Sequence, residues 1–494
     1  MSFNPDVAAP NVHRVQLGRR IMKNSLANYA ATIFNTLSSL AALGMLTRYL
    51  TLEDFGKYSF VVAVAAVFKV VAGMGVPSIV ARDIARSKEN AGVIYASAFL
   101  LHIFFSVITV IIMTVSINLT SSQAIVRIVA PLCAVAVVLE LFSKLFSAIF
   151  QAYEKMVYDV YQTVVAQTVY VVLTVCVVIF DYGLTGIFTA LLLGFVAECL
   201  IGFYVVNKKF VKLKFKGNMG QWKYLLKEAY PIGLKAILRK LGYRIDTLVL
   251  AAMKSSVEVG LFHGVYKMVQ SLTFLAEGAT RAIFPVFSRY SVTSKESLQK
   301  GYEKSFKFLV LIGLPFGIFF SFFSKPVITL ILGKAFVDAT PVLQIFGWVL
   351  ALMFLSNLTQ KMLVVGNKQS HILLATGVGL VINLVLDIIL IYKMSYIGAS
   401  IATLVAEMVI LGITFYAVNT HVSCIKISRV ALKPIFASIA TCIFLFYTYK
   451  INIYLAISSA ILFYAVVLFL MKTFTRKEIA ALKQMLGKRK PIPD

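Results

Sequence analysis

Tyr230-Pro231-Ile232-Gly233-Leu234-Lys235-Ala236-Ile237-Leu238-Arg239-Lys240-Leu241-Gly242-Tyr243-Arg244-Ile245-Asp246-Thr247-Leu248-Val249-Leu250-Ala251-Ala252 has the length and apolarity of a lipid-embedded helix, yet it carries Lys235, Arg239, Lys240, Arg244 and Asp246. A second such run, 258–285, follows a short polar turn and carries Lys267, Glu277 and Arg281. A Lys or Arg at the centre of a membrane helix costs roughly 2.5–3.5 kcal/mol, so charges at that depth face protein or a water-filled cavity and mark substrate or ion paths. Lys235 and Arg281, near the ends of their runs, can also snorkel to the interface. Arg239, Lys240, Arg244 and Lys267 lie too deep for that, and a polar cavity is the reading that accommodates them.

The composition agrees with a membrane setting. Of 494 residues, 60% are hydrophobic and 14% charged, whereas soluble domains run about 45–50% apolar and about 25% charged. The formal net charge of +27 does not point to nucleic acid, because its Lys and Arg lie in short loops, the pattern that orients a chain in a bilayer. The cysteines, Cys133, Cys176, Cys199, Cys424 and Cys442, form no CxxC pair, and four lie in apolar runs, so buried free thiols are expected. Residues 1–24 lack an apolar core or cleavage site, so no cleaved signal peptide is expected.

Runs of about 20 apolar residues give fourteen candidate spans: 25–47, 56–80, 93–117, 124–150, 160–180, 184–206, 229–252, 258–285, 304–324, 338–364, 370–392, 396–418, 432–449 and 453–471. With the N-terminus inside, most Lys and Arg fall in the N-tail, the even-numbered loops and the C-tail, including Arg82 and Arg86, Lys208 to Lys216, Arg289 to Lys307, and Lys472 to Lys490. A wrong span count would scramble that alternation. The expectation is therefore an all-α polytopic membrane protein of about 14 transmembrane helices, with both termini in the cytoplasm and no soluble domain. It divides into a basic N-tail (1–24), spans 1–6 (25–206), a basic interfacial linker (207–228), spans 7–12 (229–418), spans 13–14 (432–471) and a basic C-tail (472–494). Residues 210–227, with Trp222, Tyr224 and Leu225 among lysines, and the face made by Ile479, Leu482 and Leu486 read either as short helices on anionic headgroups or as solvated basic segments.

A weak internal repeat supports two six-helix lobes plus a terminal pair. Phe55-Gly56-Lys57-Tyr58 after span 1 parallels Val259-Gly260-Leu261-Phe262 after span 7, and Gly183 to Ala190 parallels Ile397 to Thr403 at the starts of spans 6 and 12. Internal repeats with a site at their interface are a transporter signature.

Span 1 carries Asn24, Asn28, Thr32, Asn35 and Ser39 on one helix face, which serves either a cavity or helix–helix hydrogen bonding. Span 2 carries a lone deep Lys69. At about 1.5 Å per residue, Arg239, Lys69 and Asn35 come out about 15–16 Å from the cytoplasmic side, and Arg244 and Lys267 about 12–14 Å from the outer ends of their spans. These two tiers on spans 1, 2, 7 and 8 suit one cavity. On a regular helix, however, Lys235, Arg239 and Asp246 share a face that Lys240 and Arg244 do not, so either Gly242 breaks the helix or some cations pair elsewhere. Glu140, Glu198, Asp387 and Glu407 are further acids within spans, suited to a coupling proton or to structural pairing. His102 and His263 read as structural. No HExxH, GxSxG, P-loop or dinucleotide turn is present, so no enzyme, metal or cofactor is expected.

Leu46-Thr47-Arg48-Tyr49-Leu50, Asp54-Phe55-Gly56-Lys57-Tyr58, Gly73-Met74-Gly75 and Arg82-Asp83-Ile84-Ala85-Arg86 resemble the N-terminal signature of Wzx-type polysaccharide flippases of the multidrug/oligosaccharidyl-lipid/polysaccharide exporter superfamily. Arg244-Ile245-Asp246 with Val259-Gly260 and Tyr266-Lys267 is similar to the start of that family's second lobe, and Asn383 to Thr403 to its spans 11 and 12. The resemblance implies two bundles around a central cavity lined by spans 1, 2, 7 and 8, working by alternating access. Its substrates are polyprenyl-diphosphate-linked oligosaccharides moved to the outer leaflet. Asn28, Asn35, Lys69, Arg239, Lys240, Arg244 and Lys267 are then the substrate-binding candidates, and Asp246 and Glu277 the candidates for an ion pair or for coupling to H+ or Na+. Membrane lipids are the other expected partners, and a monomer is expected. The alternatives are a drug or metabolite exporter, which would favour an acidic cavity, a lipid II flippase, and a polymerase or ligase, which would need long outer loops.

Overall fold

A computed structural model describes residues 30–121, 123–213, 219–242, 244–425, 427–448, 453–471 and 473. Every long element among them is helical. In chain order these are α1 (Ala30–Tyr49), α2 (Leu52–Gly73), α3 (Val76–Arg86), α4 (Ala91–Thr120), α5 (Ala124–Ala152), α6 (Val157–Phe180), α7 (Gly183–Lys209), α8 (Met219–Gly242), α9 (Ile245–Met253), α10 (Ser256–Thr293), α11 (Lys295–Ile331), α12 (Thr340–Val365), α13 (Gln369–His421), α14 (Ile427–Thr448) and α15 (Ile453–Leu470). The expected run 56–80 is divided between α2 and α3 and the run 229–252 between α8 and α9, while the described parts of the other runs lie on helices. Among the described residues, ten helices are long and apolar enough to cross a membrane by length and composition. In α13 two runs are joined through Ser395, whose φ of 52° and ψ of −133° are not helical.

By packing the chain forms two compact units. The first comprises Met1–Gly264, Ile331–Phe336 and Asp387–Tyr396; the second comprises Val265–Leu330, Val337–Leu386 and Ile397–Asp494.

In the first unit, Thr51 caps α2 by accepting from the Asp54 backbone N–H at 3.1 Å. α2 ends at a turn in which Met74 and Gly75 take left-handed backbone (φ 44° and 78°), and α3 restarts with proline in its first turn. The missing side chains of Gly75 and Gly233 let α8 cross this turn closely: a Cβ on Gly233 would come within 2.6 Å of the Met74 carbonyl oxygen. Tyr95, Phe146, Ile149, Phe150 and Val206 form the core between α4, α5 and α7, and Leu225 and Ala229 of α8 are buried in the same core. Residues 219–229 thus turn Leu225 towards α3 and α4, and the protein rather than a headgroup layer covers it. Phe210 likewise packs on Phe150, Tyr153 and Tyr158.

The second unit packs α11 on α14 and α15 through Ile318, Phe323, Leu445, Ala456 and Ala460. Phe444 and Phe463 stack with ring centres 4.4 Å apart. All five cysteines are free. Cys442 is exposed although it lies in an apolar run, because an apolar helix in this setting also presents apolar side chains outward.

Candidate functional site

α2 carries Lys69 into the first unit, where its Nζ pairs with a Glu140 carboxylate oxygen on α5. The pair is partly enclosed, with side-chain exposures of 31% and 17%. Lys144, one turn further along α5, and Lys240 of α8 also lie within electrostatic reach of Glu140. Glu198 enters from α7, almost wholly buried, within reach of Lys144, Glu140, Asp159 and Lys69. Towards the α5–α6 turn, Ser147 donates to Asp159, and the Gln162 amide donates to Ser147 Oγ at 2.8 Å and to Asp159 Oδ1 at 3.3 Å. The result is a polar ladder through the middle of an apolar bundle.

The face mismatch on 230–252 is resolved by a break. α8 stops at Gly242, and Arg244 caps α9 with φ −128°, its N–H donating to the Leu241 carbonyl at 2.9 Å. Re-aimed by the break, Arg244 is buried within reach of Tyr58 on α2, and Tyr58 neighbours Tyr170. Asp246 is buried too and stands against Asp387, which is fully buried. Two adjacent carboxyls in a dry setting favour a cation or a shared proton between them.

The other candidates stand as follows. Asn35 is half-buried, and its Oδ1 is buried with no hydrogen-bond partner among the described residues. Lys267 is half-buried and Glu277 exposed, both in the second unit. Glu407 lies beside Ser356 in that unit. Asn24 and Asn28 lie outside the described residues, as do the side chains of Lys235, Arg239 and Arg281. The inner tier is therefore seen through Lys69 and Lys240, around an acid the periodicity of a single helix does not reveal. His102 is structural, with Nδ1 against the Ala98 carbonyl at 2.9 Å. The group missed from the sequence is Lys144; its signal was a second intramembrane cation spaced four from Glu140.

At the Lys57 end of the first unit a cavity of about 640 Å³ is lined by Lys57, Ser116, Gln123, Lys254 and Ser256, among others. Lys57 there is paired with Glu53 and Asp54. No cluster of three or more His, Cys, Asp or Glu suited to a metal occurs among the described residues.

A family model described as polysaccharide biosynthesis protein matches residues 21–291, more than half of the chain. The chain belongs to this family. The polysaccharide biosynthesis match spans the signature residues near the N-terminus and the charged stretch through Arg244, and a second model, MatE, matches residues 231–389. The capsular polysaccharide biosynthesis protein CapF of Staphylococcus aureus is 19% identical over 406 residues, covering 80% of this chain and 98% of that protein. Among solved structures, the lipid II flippase MurJ in an inward closed conformation superposes with a TM-score of 0.74 at 14% identity, covering 94% of this chain and 100% of that one. An inward-facing multidrug resistance MATE family transporter of the MOP superfamily gives 0.67 at 18% identity, over 80% and 97%. These likenesses establish the fold.

Proposed function

We propose that this protein is a flippase that carries a polyprenyl-diphosphate-linked oligosaccharide from the cytoplasmic to the outer leaflet by alternating access. The observation that carries this reading is the gathering of half-buried Lys69 and Lys240 and exposed Lys144 about Glu140. Around Glu140 itself the lysines outnumber the acid, and positive charge at that depth is stabilised by an anion. A diphosphate presents several acceptor oxygens, and lysines bind it as point charges while Arg244 adds a planar, bidentate donor. Asn35, with an unpartnered amide oxygen, suits sugar hydroxyls. The lysines gathered about Glu140 argue against an exporter of organic cations.

The two six-helix lobes, 25–206 and 229–418, are proposed to line the path with spans 1, 2, 7 and 8, and Arg239 and Lys267 are proposed as further contacts to the phosphates. Both termini are proposed to be cytoplasmic, in the cell membrane. Of the two candidate coupling acids, Asp246 is preferred to Glu277, because Asp246 is buried beside Asp387 whereas Glu277 is exposed. H+ or Na+ would enter between the paired carboxyls. The name of the CapF relative fits a capsule-type glycan as cargo.

The test is transbilayer movement of a labelled polyprenyl-diphosphate oligosaccharide in vesicles containing the purified protein. A folded Lys69→Ala, Lys240→Ala double variant is expected to lose movement, and Arg244→Lys to retain part of it. Normal movement by the folded double variant would overturn the cationic path. The lipid-linked sugar that accumulates in the cytoplasmic leaflet after gene deletion identifies the cargo.

A further inference from the structure

Where α3 gives way to α4, a cavity of about 510 Å³ opens against the first turns of α8. Pockets for apolar compounds are lined mostly by hydrophobic and aromatic side chains. This one is lined by Asp83, Arg86, Ser87, Asn90, Gln221 and Tyr224, with Val93 and Ile94 as its apolar part. All of them lie in the first unit, and none belongs to the cluster around Glu140.

Arg82, beside the cavity, holds two of these groups in place. Its Nε donates to Asp83 Oδ1 at 2.8 Å, and its other nitrogens donate to Glu228 Oε2 and to the Tyr224 hydroxyl. Tyr224 accepts from Arg82 and so keeps its own proton to donate. Asn90 donates from Nδ2 to Ser87 Oγ at 3.0 Å, which leaves Oδ1 as an acceptor, and its side chain makes no capping bond to α4. Asp83 is 9% exposed, and its Oδ2 has no hydrogen-bond partner among the described residues. A buried carboxylate oxygen without a donor is costly, so a ligand that brings hydroxyl protons is favoured here. Arg86, exposed to solvent, adds a fork of donors.

We propose that this cavity binds one pyranose ring of the lipid-linked glycan before it crosses, a recognition site that rests on the flippase reading above. Each sugar hydroxyl both donates and accepts, which the mixture of carboxylate, amide, hydroxyl and guanidinium answers. An apolar cargo would leave Asp83 Oδ2 unpaired, and a bare phosphate would face the Asp83 carboxylate. A neutral polyhydroxylated ring meets both limits, and Val93 and Ile94 offer its C–H face an apolar contact. On the proposed topology this end is cytoplasmic, where the apolar run of span 2 stops and basic residues begin. Asp83 lies about 20 Å further towards the cytoplasm than Lys69, at about 1.5 Å per residue along α2 and α3. The sugar is thus read at headgroup level, apart from the lysines that take the diphosphate. A site that hydrogen-bonds hydroxyls rejects analogues lacking them more sharply than an apolar pocket does, so glycan choice is made here.

Saturation-transfer NMR tests this on the purified full-length protein in lipid nanodiscs, free of sugar detergents. The probes are the methyl glycosides of glucose, galactose, mannose and N-acetylglucosamine, with glycerol as control. The wild type is expected to pass saturation to the ring protons of at least one glycoside and not to glycerol. The Asn90→Ala, Gln221→Ala double variant, which leaves the Arg82–Asp83 contact untouched, is expected to lose that transfer. In vesicles, Asn90→Ala should raise the half-saturating concentration of the lipid-linked sugar about fivefold, the worth of one hydrogen bond. No transfer to any glycoside, or transfer to glycerol as strong as to the sugars, overturns the sugar site and leaves the flippase reading to its own test. Transfer that survives in the double variant, or an unchanged half-saturating concentration in Asn90→Ala, overturns it too. Glycoside binding lost in the double variant, without transbilayer movement of the labelled lipid by the wild type, upholds the sugar site and removes the flippase reading alone.

Discussion

Gly56 and Ser256 meet backbone to backbone: a Cβ built on Gly56 would come within 1.7 Å of the Ser256 carbonyl oxygen. Close by, a Cβ on Gly260 would lie 2.8 Å from the carbonyl oxygen of Leu52. The first turns of α2 and α10 are thus joined by mutual absence of side chains, a mode of helix contact common in membranes. Gly56→Ala must push the two apart, an overpacking expected to cost about 1–3 kcal/mol. Thermal unfolding of the purified variant checks this. An unchanged midpoint would show that the contact is not held.

Asp54, in the same turn, gives this end an acid dependence. Burial alone would raise its carboxyl, but Lys57 and the Thr51 hydroxyl hold it below the ordinary Asp value. A depressed folded value means that the stabilisation is present above the unfolded pKa of about 3.9 and is lost as pH falls through the lower, folded one. The protection factors of the amides of 51–58, with the intrinsic pH dependence of exchange divided out, should therefore fall on acidification below about pH 4. In Asp54→Asn they should already be lower at neutral pH and show no such step.

Lys69 and Glu140 are not equivalent to remove. Glu140→Ala leaves Lys69, Lys144 and Lys240 crowded without their shared acid, and is expected to cost about 3 kcal/mol, the low end for stripping one partner from a buried pair. Lys69→Ala leaves Glu140 with two lysines and is expected to cost about 1 kcal/mol, the scale of a single net hydrogen bond. Unfolding midpoints measured side by side decide it. A larger loss for Lys69→Ala would mean that Lys144 and Lys240 do not compensate Glu140.

Arg82 ties α3 to α8, donating to Glu228 Oε2 and to the Tyr224 hydroxyl, each at 3.0 Å. Arg82→Ala should speed hydrogen exchange across 219–229 and increase cutting by protease there, while the exchange of α5 and α7 stays the same. Glu228→Gln should do so to a smaller degree, because Tyr224 still holds the guanidinium. Unaltered exchange in Arg82→Ala would place the hold on this segment in Leu225 and Ala229 alone.

The helices were legible in the sequence because the bilayer imposes a length: a run of about 20 apolar residues has few other readings. The break after Gly242 was legible only as one of two readings, since cations that share no face of a straight helix can also pair with another element. What the sequence hides is who meets whom. Lys69 and Glu140 stand 71 positions apart, and Asp246 and Asp387 farther still; nothing in the local pattern of either residue names the other. Lys144 escaped notice for a different reason, since four-residue spacing from Glu140 reads as an ordinary helical ion pair until Glu198 is seen arriving from α7. Residues 219–229 show one apolar stripe, and a stripe states that it is covered without stating by what. Leu225 is covered by protein.

Leu225 and Ala229 fill the core of the first unit from beyond the basic stretch that follows α7. A fragment stopping at residue 212 would carry an open socket among α3, α4 and α5, and the remaining fragment would carry the matching plug. Two genes encoding 1–212 and 213–494 would accordingly yield pieces that recognise each other, a split protein reassembled by its own severed helix.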